Sequence, residues 1–183
     1  MMVRFARPSD VSGVAALYCA VWHETQAPFM PVQECKRRTS AFFVERMSAL
    51  LATTVVQVRS RSIVGFVAWS GNLLGQIYVA KAFRGINVGS ALMAKAEYEM
   101  AGQGINRAEL HCVAGNDRAR RFYERLGWIC QGEMVEPVLG EGGEVGVAFW
   151  RMAKMLSTHA DEAVIAGEGA HRCVGAGERR RSR

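Results

Sequence analysis

The sequence lacks any uninterrupted stretch of roughly 18 to 20 apolar residues, the length that a membrane-spanning helix needs. Its start, MMVRFARPSD, also lacks the basic and then apolar order of a secretory signal peptide. These two absences argue against a membrane protein and against a secreted one. We therefore expect a soluble protein in the cytoplasm, with no membrane partner.

Cysteine pairs of the kind that bind metal or form redox centres are also absent. The five cysteines are widely spaced and form no CxxC motif or other zinc-ligand pattern. This predicts buried free thiols and no metal cofactor. The five are Cys19, Cys35, Cys112, Cys130 and Cys173.

Length and charge add a few restrictions. With 183 residues, of which 50% are hydrophobic, the chain is long enough for one α/β domain and too short for two of ordinary size. Its net charge is +6, and because residues 157–183 contain five arginines and four acidic residues, most of the excess lies in the rest of the chain. A positive body suits an anionic ligand, although charge alone does not identify one.

The hydrophobic pattern predicts a strand, two helices, three strands, a helix, a strand, a helix and a final pair of strands. An apolar stripe between Val11 and Trp22 predicts the first helix, and a second one is expected to end near Leu51, with Val32 among the residues on its inner side. The later strands are predicted by the runs TTVVQV, SIVGFVAW, LLGQIYVA, RAELHCVA, WICQGEMV and VGVAFWRMAKML. A Glu- and Gly-rich loop is expected to join the last two strands.

The stretch AFRGINVGSALMAKA, residues 82–96, joins a predicted strand to a helix predicted over residues 88–101. A glycine-containing turn of this kind points unpaired backbone N–H groups and the positive end of the helix dipole at whatever lies before it. The stretch lacks the Gly-Lys-Ser/Thr ending of a Walker loop and the G-x-G-x-x-G spacing of a dinucleotide fingerprint. Alone, it predicts either a phosphate-binding loop or an ordinary tight turn.

Two blocks of the sequence resemble the GNAT superfamily of acyl-CoA-dependent N-acetyltransferases. The loop resembles the family's Q/R-x-x-G-x-G/A pattern, with Arg84 and Gly89 at the outer positions and Asn87 in place of the middle glycine. The later block NDRARRFYERLGW resembles N-x-x-A-x-x-F-Y-x-x-x-G-F, starting at Asn116. Because asparagine is the non-glycine residue that best tolerates the left-handed conformation, we expect a positive φ at Asn87.

The resemblance covers roughly residues 3–156 and implies a GNAT acetyltransferase domain over residues 1–156, followed by a disordered tail at 157–183. The implied fold is α/β (α+β), with a mixed, mostly antiparallel central sheet that is flanked by helices and splayed at the acyl-CoA site. The implied reaction is direct transfer of acetyl from the co-substrate acetyl-CoA to a primary amine, in a ternary complex. No covalent enzyme intermediate is expected, and Cys112 is interpreted as a buried thiol.

The resemblance also implies roles for individual residues. The strand that contains Tyr78 and Val79 would pair with the pantetheine arm, and the backbone of the following loop would hold the pyrophosphate. Tyr123 would act as general acid toward the leaving thiolate, since a phenol with a pKa of about 10 stays protonated at neutral pH. The residues expected to bind the cofactor are Tyr78, Val79, Arg84, Gly85, Asn87, Val88, Gly89, Ser90, Asn116 and Tyr123.

The general base and the acceptor remain open. The strand before the loop, NLLGQIYVA, contains no acidic residue or histidine, so the glutamate that histone-modifying members carry there has no counterpart. The candidates are His23, Glu24, Glu109, His111 and a water chain. Four glutamates between Glu133 and Glu144 either attract a cationic amine or belong to a solvated hairpin.

Two alternatives belong to other functional classes. A non-catalytic acyl-CoA-binding or regulatory protein would use the same fold; Asn87 and the missing strand carboxylate favour it, whereas Tyr123 argues against it. A nucleic-acid-binding module would act through the terminal sequence GERRRSR, but such ends are more often solvated, so no nucleic-acid partner is expected. A homodimer also stays open.

Overall fold

The strands of the fold coincide with the β-branched and aromatic runs of the sequence, and most helices coincide with its apolar stripes. The computed structural model describes residues 2–157. The helices of this range are α1 (Val11–Thr25), α2 (Val32–Arg37), α3 (Ser40–Ala49), α4 (Val88–Gly102) and α5 (Asp117–Arg125). Its strands are β1 (Met2–Phe5), β2 (Thr54–Arg59), β3 (Ser62–Ser70), β4 (Leu73–Val79), β5 (Arg107–Val113), β6 (Ile129–Gly140) and β7 (Gly143–Met155). Except for Ser157, the tail expected at 157–183 lies outside the described residues, as does Cys173.

The strands of the described chain form one sheet in the order β1, β2, β3, β4, β5, β7, β6. Every neighbouring pair is antiparallel except β4 and β5, which are parallel and pair only at Leu73 and Glu109. The N–H of Glu109 also donates to the carbonyl of Asn72 at 2.9 Å. Past this point the two strands diverge, so the sheet is splayed between two antiparallel halves. The expected mixed, mostly antiparallel sheet is confirmed.

A hydrophobic core lies on each face of the sheet. On one face, Tyr18 of α1 and Phe43 of α3 pack together, with ring centroids 4.6 Å apart. On the other, Leu92 of α4 packs in a cluster with Trp69 of β3. Here α4 approaches β3 so closely that a Cβ on Gly65 would lie 3.0 Å from the Leu92 side chain. Helices therefore flank the sheet on both sides, as expected.

The single helix predicted to end near Leu51 is wrong, because the segment forms two helices, α2 and α3. At the break between them, the Thr39 hydroxyl accepts a hydrogen bond from the N–H of Phe42 at 3.3 Å and caps the new helix. Val32, expected on the inner side, is 62% exposed. The apolar spacing missed the break because a capping threonine inside an amphipathic stretch leaves that spacing unchanged.

The Glu- and Gly-rich loop predicted between the last two strands is also wrong. Strands β6 and β7 continue through it as one paired ribbon, closed by a two-residue turn at Glu141 and Gly142. Gly142 has the positive φ, +81°, that such a turn needs. Gly146 makes room for Val135, since a Cβ there would lie 2.5 Å from the valine side chain. Glycines that predicted a loop thus serve a tight turn and cross-strand packing.

A buried carboxylate, that of Glu34, anchors α2. Its side chain is 0% exposed, and its oxygens accept hydrogen bonds from Arg37 and Arg38, each at 2.7 Å. The Arg38 guanidinium also lies 4.4 Å from the ring centroid of Phe42. Burial by itself raises the pKa of Glu34, but the hydrogen bonds from the two arginines lower this pKa below its ordinary value. The carboxylate therefore stays charged at neutral pH.

Replacing Glu34 with glutamine should lower the free energy of unfolding by about 2 kcal/mol at pH 7, because a buried group loses its charge-assisted hydrogen bonds. Since the folded pKa of Glu34 lies below the unfolded value of about 4.3, the contribution is present above that value. It is lost as the pH falls through the folded pKa. Urea unfolding from pH 7 to pH 3 should therefore show the two proteins converging in acid.

The control is Glu124→Gln, because Glu124 forms an exposed pair with Arg120 at 2.9 Å and exposed ion pairs contribute little to stability. A Glu34→Gln effect no larger than the control, or one that is the same at every pH, would contradict the role given to Glu34.

Candidate active site

A cavity of about 650 Å³ opens where β4 and β5 diverge. Its walls are the end of β4, the loop that follows, α5 and the end of α1. Seven of the ten residues expected to bind the cofactor line it: Tyr78, Val79, Arg84, Gly85, Gly89, Asn116 and Tyr123. The other three, Asn87, Val88 and Ser90, are not in its wall. Val88 is 1% exposed and packs in the core, so only its backbone is available to a ligand.

The loop between β4 and α4 has the backbone form that its sequence predicted. Gly85 has a φ of +77°, and Asn87 has a φ of +64° and a ψ of +10°. The positive φ expected at Asn87 is therefore confirmed. Asn87 is the N-cap of α4, but its side chain makes no capping hydrogen bond. The first amides of α4 can thus donate to an anion at the positive end of the helix dipole.

Arg84 fastens this loop to its surroundings. Its Nε donates to the carbonyl of Val79 at 3.0 Å, and its two Nη atoms donate to the Glu24 carboxylate at 2.7 and 2.9 Å. This two-pronged pair connects the loop to the end of α1. The hydrogen bond from Arg84 lowers the pKa of Glu24, which makes the carboxylate a weaker proton acceptor.

The end of α1 also contacts the opposite side of the split. The Asn116 side chain caps α5, because its Oδ1 accepts the N–H of Ala119 at 3.2 Å, and its Nδ2 donates to the carbonyl of Thr25 at 3.4 Å. Beside it, Gly115 has a φ of +96°, and a Cβ there would lie 2.9 Å from the ring of Phe29. The segment from α1 to α2 therefore bridges the two halves of the sheet.

Helix α5 packs directly on the start of α4. A Cβ on Gly89 would lie 3.1 Å from the ring of Phe122, so a larger residue would push the two helices apart. The C-terminal end of α5 is marked by Gly127, whose φ is +83°. Because of this packing, the side chains of α5 stand beside the free amides of α4.

Tyr123 presents its phenol to the cavity from a fixed ring. The ring is half-buried and packs against Phe122 and Trp128, with centroids 5.4 and 6.5 Å away. Its hydroxyl makes no hydrogen bond to another residue of the described chain, so it is available to a ligand. Burial raises the pKa of Tyr123, and the neighbouring Cys112 thiol raises it further. The phenol is therefore protonated at any physiological pH.

Cys112 lies in the core with 3% exposure. Burial raises the pKa of its thiol to about 12, so the thiolate that a nucleophile requires is scarce at neutral pH. The cysteine is a buried thiol, and the geometry gives no support to an acyl-enzyme on it.

Of the four side chains considered as general base, the two glutamates are ion-paired and His23 lies outside the cavity wall. Glu24 is ion-paired, as described above. Nδ1 of His23 lies 2.8 Å from the carbonyl of Cys19, on the exposed side of α1. Glu109 forms an ion pair with Arg107. His23 keeps its other ring nitrogen, Nε2, unbonded, but the residue does not line the cavity.

His111 has a different setting. Its Nδ1 lies 2.5 Å from Oε1 of Glu136 on β6. Because an ionised carboxylate only accepts hydrogen bonds, Nδ1 is the donor in this contact, and in a neutral ring the Nε2 lone pair is left free. His111 is two residues beyond Glu109, on the same side of β5, where β4 begins to diverge. It does not line the 650 Å³ cavity; it lies on the sheet face that α1 covers.

The four glutamates of the ribbon do not form one patch. Alternation along the paired strands places Glu133 and Glu144 on one face and Glu136 on the other, with Glu141 in the turn. The carboxylate of Glu133 accepts a hydrogen bond from the indole N–H of Trp150 at 3.2 Å. A combined attraction of all four acids for a cationic amine therefore has no geometric basis.

The sequence profile of the acetyltransferase (GNAT) family matches residues 18–128, which contain β4, the loop, α4, β5 and α5. The chain belongs to the GNAT acetyltransferase family. Acetyl transfer is therefore its general activity, and the cavity between β4 and β5 lies where both sequence blocks of the GNAT resemblance meet.

Solved GNAT structures share the fold. A GCN5-related N-acetyltransferase from Rhodopseudomonas palustris is 21% identical, with a TM-score of 0.69 over 85% of this chain and 95% of that one. YncA of Salmonella typhimurium, solved with acetyl-CoA, is 19% identical, with a TM-score of 0.63 over 87% and 95%. PaiA N-acetyltransferase of Thermoplasma acidophilum, solved with coenzyme A, is 17% identical, with a TM-score of 0.59 over 84% and 98%. No curated protein sequence matches the chain.

Metal clusters and membrane spans are both missing from residues 2–157. No group of three His, Cys, Asp or Glu side chains in this range could hold a metal ion. No helix in the same range is long and apolar enough to cross a membrane.

Sequence reasoning missed part of the wall of this GNAT cavity. Arg118 and Arg125 line it, and their spacing of seven residues on one helix was a readable signal that they share a face. Thr25 gave no such signal, because its contact with Asn116 spans 91 residues and exists only in the folded chain.

Replacing Asn87 with alanine should lower the free energy of unfolding by about 1 kcal/mol, because the left-handed conformation is sterically unfavourable for alanine and asparagine tolerates it better. With glycine at the same position, the free energy of unfolding should stay within about 0.5 kcal/mol of that of the natural protein. Glycine adopts this conformation freely, but it also raises the conformational entropy of the unfolded chain. Thermal unfolding measures the first effect, and calorimetry with CoA should show weaker binding for the alanine variant alone.

Arg61→Gly is the control, because Arg61 also has a positive φ, +65°, but lies in the turn between β2 and β3. It should leave CoA affinity unchanged. An alanine variant at position 87 with natural stability and affinity would show that the loop does not depend on this conformation.

Proposed function

We propose that the chain transfers the acetyl group of acetyl-CoA to the nitrogen of a primary amine, within a ternary complex. One observation carries the proposal: Gly89, in the uncapped first turn of α4, and Tyr123, whose hydroxyl is unbonded, line the same cavity at the split of the sheet. The first suits a pyrophosphate and the second suits a leaving thiolate. Relatives of the same fold that were solved with acetyl-CoA or CoA support this choice of ligand.

The pantetheine arm of acetyl-CoA would lie along the free edge of β4. Residues 77–79 pair with β3 on one side, whereas β5 has already diverged on the other. An extended chain of amides can add to such an edge like a further strand. The pyrophosphate would then meet the backbone of Gly85, Asn87, Val88, Gly89 and Ser90, with Arg84 and Asn116 holding the walls in place.

Tyr123 would stabilise the thiolate as the C–S bond breaks. Its raised pKa lies above that of a thiol, about 8.5, so complete proton transfer from the phenol is uphill. A hydrogen bond from the phenol to the developing thiolate costs no such transfer. The thiolate then takes a proton from solvent, because the pKa of a thiol, about 8.5, lies above neutral pH, and the amine's proton returns to solvent from His111, so CoA leaves as the free thiol.

His111 would remove the proton from the amine. A lysine-like amine has a pKa of about 10.4, and losing a proton at pH 7.4 costs about 4 kcal/mol. Nε2 of His111 is free, and Glu136 holds the ring by its other nitrogen. Because Cys112 faces the α4 core, its neighbour His111 faces the α1 side. The amine would thus enter from the side opposite Tyr123.

One of the two observations that favoured a non-catalytic acyl-CoA-binding protein, the asparagine at position 87, no longer supports it. Asn87 keeps the left-handed form of a family glycine, so the loop is intact. The missing carboxylate on β4 remains, but His111 offers a proton acceptor on β5. The nucleic-acid alternative depends on a tail outside the described residues.

Tyr123→Phe should lower kcat about 100-fold while the Kd for acetyl-CoA changes less than about twofold, because the ring packing is kept and only the hydroxyl is lost. Release of free CoA thiol with a panel of primary amines measures kcat, and calorimetry measures Kd. Tyr98→Phe is the control, since Tyr98 lines a separate cavity near the end of α4. An unchanged kcat in Tyr123→Phe would refute this role.

His111→Ala should lower kcat/KM about tenfold or more at pH 7. The deficit should shrink as the pH approaches the amine's own pKa of about 10, because the amine then loses its proton without help. Glu136→Gln should show a smaller loss of the same kind. Glu133→Gln is the control, because Glu133 bonds to Trp150 on the other face. A deficit that is the same at every pH would point to a purely structural role for His111.

A further inference from the structure

Three cations at the wall of the cavity are not in ion-pair contact with any acidic side chain of the described residues. Of the four arginines on α5, Arg118 and Arg125 line the cavity, together with Lys81 from the loop after β4. None of the three forms an ion pair with another residue of the described chain. Arg120, by contrast, pairs with Glu124 at 2.9 Å and lies over the ring of Trp150. The wall of the cavity therefore contains three cations that no ion pair occupies.

The pyrophosphate does not need these three positive charges, because other groups of the cavity would bind it. The pyrophosphate would be held by backbone amides and the dipole of α4, and Arg84 is already committed to Glu24. Within residues 2–157, Glu24 is the single carboxylate in the wall of the cavity, and that ion pair has neutralised it. The wall thus keeps an excess positive charge that a second anionic group would balance.

The positions of the two arginines indicate where that group lies. Arg118 and Arg125 are seven residues apart on α5 and flank Phe122, the residue that contacts Gly89. A ligand placed over this contact would have a guanidinium on each side. Lys81 lines the cavity from the loop after β4, and like Arg118 it lies close enough to Glu24 for its charge to lower the pKa of that carboxylate. The three form a cationic rim around the entrance of the phosphate loop.

We propose that Lys81, Arg118 and Arg125 bind the 3′-phosphate of coenzyme A and select the complete cofactor over its 3′-dephospho form; this rests on the proposed function. A phosphate monoester carries nearly two negative charges at neutral pH, and guanidinium groups bind it through paired hydrogen bonds. The loop amides recognise the pyrophosphate, which both forms of the cofactor contain. Only the rim distinguishes them.

Calorimetry with CoA and with 3′-dephospho-CoA tests the proposal. The natural protein should bind CoA about tenfold or more tightly than the dephospho form, since even one charge-assisted hydrogen bond accounts for about a tenfold difference in affinity. The double variant Arg118→Ala, Arg125→Ala should lose most of this preference, as CoA affinity falls towards that of dephospho-CoA. Lys81→Ala should lose part of it. All proteins are compared at the same salt concentration, because screening weakens such contacts.

Arg121→Ala is the matched control. Arg121 lies on the same helix and is exposed outside the cavity, so its removal takes away one positive charge of the same helix and should keep the preference. Equal affinities of the natural protein for the two cofactors would overturn the rim while leaving acetyl transfer intact. The rim would also be overturned if Arg121→Ala lowered the preference as much as the double variant does. Failure to bind either cofactor would instead overturn the proposed function together with the rim.

Discussion

Backbone groups at a strand edge need hydrogen-bond partners, and β4 and β5 supply each other with only one pair, Leu73 with Glu109. The cavity and the residues around it depend on the fact that these two strands pair at a single position. Because the strands diverge after it, a cavity opens inside the sheet rather than on its surface. The end of β4 then faces α5 across the cavity of about 650 Å³. A fully paired sheet of the same strands would have no room for one.

A split sheet would separate without cross-links, and the end of α1 provides them. Glu24 binds Arg84 on the side of β4, while Thr25 accepts a hydrogen bond from Asn116 on the side of β5. The packing of Phe29 against Gly115 adds an apolar contact on the second side. These links leave the amides of α4 free, because they use side chains and strand ends instead. Side chains thus hold the two halves of the sheet together, while the backbone amides of α4 stay available to a ligand.

The features that the sequence predicted are those that depend on neighbouring residues. The left-handed turn at Asn87 is local, and it is found. The break before α3 was missed because Thr39 keeps the apolar spacing, and the ribbon was missed because its glycines resemble those of a loop. The contact of His111 with Glu136 joins residues 25 positions apart on strands whose pairing no local signal specifies. Local chemistry thus predicted the loop and α5, whereas the far wall of the site depends on tertiary contacts.

The open edge of β4 also links the folding of the chain to the supply of its ligand. A ligand that pairs with this edge binds the folded state alone, so it stabilises the fold by RT ln(1 + [L]/Kd). At a concentration 100 times the Kd this amounts to about 2.7 kcal/mol, a sizeable part of the stability of an ordinary domain. The cellular lifetime of the protein would then follow the level of its cofactor. The unpaired edge of β4 would in this way make the stability of the protein depend on the concentration of its ligand.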